Sequence, residues 1–183
     1  MKYFLIKMDQ KFNTAPEIKG WFDKIKHRDI CVERSHNIEK RQLLFIESNP
    51  NTVFPDVLTF PFFLVSETVR NVIHSYEPNI IFKEIILLDS KHAKTFTYYL
   101  PILKCINCLF DSTKLTGDKY SALNAVIDAG SVGDNVIFSL ANSSDFNVVM
   151  RLDLVESILS RGAKGMELRE IGVEWGRGAR GET

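Results

Sequence analysis

Residues 60–89, FPFFLVSETVRNVIHSYEPNIIFKEIILLD, constrain the fold of this 183-residue chain more than any other stretch. An apolar run from Phe60 to Val65 stops at Ser66, and Val69, Val72, Ile73 and Tyr76 then recur at helical spacing. Ser66 is the expected N-cap: its hydroxyl can accept from an unpaired backbone N–H of the first turn, and Glu67 places negative charge where the helix dipole favours it. Pro78 ends the helix by disfavouring the α conformation at Glu77. The chain restarts as Ile80 to Leu88, a run too apolar for an exposed edge. The stretch therefore reads as strand, helix and central strand, with the core built around it.

A chain of this length buries roughly 70% of its unfolded surface, so it needs no disulfides. Its 23 basic and 23 acidic side chains create no overall field, and neither nucleic acid nor an anionic membrane is expected as a partner. Thirteen Phe residues indicate a well-filled core with aromatic surface left over for a partner. Three cysteines, an odd number, fit a reducing cytosol. The N-terminal MKYFLIKMDQ lacks the uninterrupted apolar region of a signal peptide, and no apolar run approaches the roughly 20 residues that span a bilayer. The expected location is cytoplasmic.

Along the chain, Tyr3 to Met8 reads as a strand. Thr14 and Glu17 form a capping box ahead of Ile18, Trp21, Phe22 and Ile25, which predicts a short amphipathic helix interrupted by Gly20. Asp29 to Glu33 and Gln42 to Glu47 read as an antiparallel pair. Phe96 to Lys104 reads as a strand antiparallel to Ile80 to Leu88, with Pro101 marking an edge, a bulge or a strand end. Ser121 to Ile127 reads as one or two helical turns, and Asp128 to Asn135 as a Gly-rich turn. Val136 to Leu140 and Val148 to Leu152 form a hairpin, and Asp153 with Glu156 opens a helix that ends at Gly162 or Gly165. Met166 to Val173 is the last strand. Leu64 to Ile85 can be laid over Arg151 to Ile171, with Ser66 on Asp153 and Lys83-Glu84-Ile85 on Arg169-Glu170-Ile171; shared local physics explains so short a match as well as duplication does. The resulting expectation is one α+β domain over 1–175, mostly antiparallel sheet with a few short helices, and a flexible Gly-Arg tail over 176–183.

Residue patterns for catalysis are sparse. Cys105-Ile106-Asn107-Cys108 is a CxxC, suited to redox chemistry or half a zinc site, and a thiol or zinc protein using Cys105 and Cys108 is the alternative reading. It lacks a helix start before Cys105, and neither Cys31 nor His27, His36, His74 and His92 supplies a second pair at metal spacing. Buried reduced thiols are the simpler reading. Ser66 lacks the flanking glycines of a hydrolase elbow, and the glycines match neither a P-loop nor a dinucleotide pattern. No catalytic residue, metal or cofactor is therefore expected.

Pro55-Asp56-Val57-Leu58, Leu64-Val65-Ser66-Glu67 opening a helix, the apolar strand before Asp89, Asp111 after another, Val136-Ile137-Phe138 and the closing strand-helix-strand from Val148 carry a resemblance. Over residues 53–173 the chain resembles the eleventh family of immunity proteins of bacterial polymorphic toxin systems. The resemblance implies a non-enzymatic cytoplasmic protein that binds and neutralises a cognate toxin module. Recognition is often carried by loops and aromatic anchors, which points to Asp111, Lys114 and Asp118 in the loop Asp111 to Lys119, and to Trp175. A homodimer is also open to such a chain.

Overall fold

The computed structural model describes residues 1–110, 125–141 and 147–176. Among these residues are two six-stranded sheets and three short α-helices, an α+β architecture. The strands are β1 (Tyr3–Met8), β2 (Glu17–Lys19), β3 (Arg41–Glu47), β4 (Val57–Leu58), β5 (Leu64–Val65), β6 (Ile81–Asp89), β7 (Lys94–Ile102), β8 (Cys105–Ile106), β9 (Val126–Asp128), β10 (Ile137–Leu140), β11 (Val148–Arg151) and β12 (Met166–Glu174). The helices are α1 (Glu67–Tyr76), α2 (Ala129–Val132) and α3 (Leu152–Leu159). The first sheet runs β8-β10-β11-β1-β12-β9 and the second β2-β3-β6-β7-β5-β4. Both are mixed: β3 pairs parallel with β6, β9 with β12 and β8 with β10, which corrects the expectation of a mostly antiparallel sheet.

The stretch from Leu64 behaves as its residues dictate. Ser66 caps α1, its oxygen accepting from the Val69 N–H, and Val69, Val72 and Ile73 are buried. The Ser66 hydroxyl also donates to Asp56 Oδ1 at 2.6 Å, while Asp56 Oδ2 accepts from the Lys164 N–H at 2.7 Å. Asp56 thus ties the start of α1 to the loop after α3. Gly165 in that loop has φ +81, and a Cβ there would stand 2.3 Å from the Pro55 Cβ, so the close approach requires glycine. The β6–β7 hairpin and the β10–β11 hairpin form as expected. Of the run from Phe60, only Leu64–Val65 is strand.

Other expectations need correction. Residues 18–25 are not a helix: Ile18 lies on β2, Gly20 turns the chain at φ +62, and a single turn closes from the Ile25 N–H to the Trp21 carbonyl at 2.8 Å. Asp29 to Glu33 is no strand either; the antiparallel partner of β3 is β2. Residues 20–40 instead drop Ile25, Ile30 and Ile38 onto the second sheet at irregular spacing, a pattern with no period to read. The cap of α3 is Arg151; Asp153 sits inside the helix, where its carboxylate accepts two guanidinium bonds from Arg151, each 2.8 Å. The end of the stretch read as helical, Val126 onward, is β9, and the Gly-rich turn holds α2, capped by Asp128. Residues 121–124, the 142–145 turn and the tail from 177 lie outside the described residues.

Three cores follow from this arrangement. The central one gathers α1, α3, which pack on each other, and one face of each sheet, through residues such as Ile6, Val65, Ile73, Met150 and Ile158. The opposite face of the second sheet buries Leu44, Ile85, Leu87 and Tyr98 beneath residues 20–40. That of the first sheet buries Tyr3, Leu5, Val149 and Ile171 against Cys108, Ala125 and Val132.

The halves of the chain share one plan. In each, the described elements run as a strand, a short strand, a further strand, an antiparallel pair, a helix and a nine-residue strand: β1 to β6 with α1, and β7 to β12 with α3. β3 is parallel to β6 as β9 is to β12. The first strand of each half is the central strand of the other half's sheet, since β7 lies between β5 and β6, and β1 between β11 and β12. Registers agree: Tyr98-Tyr99-Leu100 faces Ile85-Glu84-Lys83, and Tyr3-Phe4-Leu5 faces Ile171-Glu170-Arg169. The plans part at β2 and β8, which pair with β3 and β10.

Candidate protein-binding surface

Of the two CxxC thiols expected to be buried, only one is. Cys105 on β8 is exposed, whereas Cys108 is buried and its thiol is pushed up to about 11 by burial, away from the thiolate a redox pair needs. Among the described residues, no three His, Cys, Asp or Glu side chains gather within metal-binding reach. His36 and His74 are exposed.

Ser48, Asp89 and His92 meet at the turn of the β6–β7 hairpin, a meeting that spacing in the sequence does not reveal. Ser48 Oγ lies 3.2 Å from His92 Nδ1, and the same nitrogen lies 2.7 Å from Asp89 Oδ2. A nucleophilic relay needs the ring's two nitrogens to face different partners. Here one nitrogen faces both, and the Ser48 hydroxyl donates to the Asp89 carboxylate. Asp89 also accepts from the Lys91 and His92 backbone N–H groups, so the cluster clasps the ends of β3 and β6. Beside it a polar cleft of about 770 Å³ opens between Asn13, Glu17, Glu47, Ser48, Ser90 and Lys91.

The Ser48 hydroxyl, with the His92 ring and backbone N–H, holds the Asp89 carboxyl at about 2. An unfolded Asp titrates near 3.9, so this cluster stabilises the fold above about pH 4 and loses that contribution as pH falls toward 2. Urea unfolding across that range is expected to show a steep acid loss for the wild type and a flatter profile for Asp89→Asn. Equal slopes would exclude Asp89 as the titrating group.

The feature with the strongest binding character is an aromatic cluster over the second sheet. Trp21 makes edge contacts with Phe22 at 6.0 Å, Phe60 at 6.5 Å and buried Phe62 at 5.8 Å, and its ring lies 5.1 Å from that of His27. Phe22 and Phe60 are 61% and 73% exposed, far above what a core aromatic retains. Local chemistry puts them there: Gly20 turns the chain out of β2, and Phe62 supplies a fixed floor. Exposed Lys26 and Arg28 flank His27. The sequence signal was the adjacent Trp21-Phe22, which a helical reading assigned to a buried stripe.

Of the residues expected to meet a partner, Trp175 follows β12 and is 73% exposed. Asp111, Lys114 and Asp118 lie outside the described residues. Among the described residues no helix is long and apolar enough to cross a membrane. No protein-family profile matches the sequence, and no curated protein does.

Proposed function

We propose that this chain is a cytoplasmic, non-enzymatic immunity protein that neutralises a cognate bacterial toxin module by binding it. The observation that carries the reading is the cluster of half-buried Trp21 with exposed Phe22 and Phe60: large aromatic side chains open to solvent over a buried floor are what interface hot spots are made of. The resemblance over residues 53–173 supplies the class of partner, and exposed Trp175, just after β12, is a second anchor. A neutralising partner needs a stable scaffold and a complementary surface rather than a reactive group.

The test is affinity capture of the tagged chain from its native cell, with the complex weighed intact and the partner identified. A stoichiometric partner bearing a toxic C-terminal module supports the reading. Phe22→Ala with Phe60→Ala should then weaken the isolated complex by about 2 kcal/mol or more, read by calorimetry. Absence of a protein partner, together with a metal or small-molecule adduct on the purified chain, would overturn it.

A further inference from the structure

The face of the second sheet that looks toward α1 is only partly covered by the described residues. Leu44 and Ile46 of β3 point into the core beneath residues 20–40, so Arg41, Leu43, Phe45 and Glu47 share the other face. Leu43 and Phe45 are 39% and 45% exposed there. The parallel register sets Leu43 beside Ile86 and Phe45 beside Leu88, both half-buried, and Arg41 beside Glu84. Thr95 and Thr97 extend the open face across β7, and Arg70 of α1 bounds it, its guanidinium 4.8 Å from the Tyr99 ring centre and 5.6 Å from that of Phe82. The corresponding positions of β12, beyond the Glu170 that matches Glu84, are exposed Gly172 and Glu174. The apolar strip therefore belongs to one half alone and is not a by-product of the shared plan.

Along β3 this face reads basic, apolar, apolar, acidic: Arg41, Leu43, Phe45, Glu47. Reversed, the pattern is its own complement. Laying a second copy face to face, with its β3 crossing in the opposite direction about a two-fold axis between residues 43 and 45, puts Arg41 against Glu47 twice. The same operation puts Leu43 against Phe45 twice, and Ile86 against Leu88. An isologous two-fold contact requires this kind of self-complementary patch.

We infer that the open face of the second sheet is a homodimer interface, occupied by a second copy of this chain in antiparallel alignment of β3. It lies on the opposite side of that sheet from the Trp21 cluster, so dimerisation and partner binding are compatible. Sedimentation of the full chain at micromolar concentrations tests it, with circular dichroism as the control for folding. The wild type is expected to sediment as a dimer. Glu47→Arg sets arginine against Arg41 and should raise the dimer Kd at least about tenfold; adding Arg41→Glu restores opposite charges and should recover most of that loss. Phe45→Lys should give a folded monomer. A wild type that remains monomeric, a dimer indifferent to Glu47→Arg and Phe45→Lys, or a charge swap without recovery would each overturn the inference.

Discussion

Removal of residues 1–8 is expected to abolish cooperative folding, a larger effect than any single substitution in this chain. β1 is bonded along both sides, to β11 from Tyr3 to Ile6 and to β12 from Tyr3 to Met8. Its loss would cut the first sheet in two and leave unpaired backbone groups in the interior, where they are costly. Tyr3, Leu5 and Ile6 are 2%, 2% and 1% exposed and are shared between two cores. Burying a large apolar side chain contributes about 1.5–3 kcal/mol, so these alone approach the 5–15 kcal/mol that holds a typical domain folded. Thermal unfolding by circular dichroism should show no sharp transition for the truncated chain, and a synthetic peptide of residues 1–8 should restore one. A truncated chain melting cooperatively within a few degrees of wild type would show that β1 is dispensable.

Phe62→Ala is expected to be the most damaging single substitution near the aromatic surface. Phe62 is completely buried in the outer core of the second sheet and is the floor on which Trp21 stands. Truncating a buried Phe costs about 3–5 kcal/mol, the upper part applying where the surroundings cannot collapse into the void. Here neighbours such as Leu64, Ile85 and Tyr98 are held by their strands, so the upper part applies. Urea unfolding gives the stability. Fluorescence in a Trp175→Phe background reports Trp21 alone, and should show a red shift and faster quenching as that ring loosens. A loss below about 1 kcal/mol would mean that the layer formed by residues 20–40 closes over the void.

The parts of this fold that were readable are those in which local chemistry and tertiary packing agree. Ser66 caps a helix because its own hydroxyl, the apolar spacing after it and Pro78 all favour the same end points. The β6–β7 pair is readable for a similar reason, as two long apolar strands separated by a polar turn. Residues 20–40 resisted reading because they are held by a sheet they do not join: Ile25, Ile30 and Ile38 reach it from irregular backbone, so neither period appears. Parallel pairing of β3 with β6 was invisible because the connection between them passes through three other elements. The binding surface was half legible. The wealth of Phe predicted aromatic surface, but Phe60 reaches Trp21 only through the fold, and the palindromic charge of β3 has meaning only once its faces are assigned.

The exchange of first strands between the halves sets the order in which the protein can mature. Tyr3 leaves the ribosome long before the residues it pairs with, Arg151 and Ile171. At roughly 5–20 residues per second, β1 waits on the order of ten to thirty seconds before its sheet can close. The second sheet has no such delay, because β7 follows β6 directly and all its strands lie within the first 102 residues. Synthesis therefore passes through a stage in which one sheet is complete while an apolar N-terminal strand, unpaired on both sides, remains open to any other strand edge. Crowded translation of this message is where chaperone dependence and mispairing between chains should concentrate.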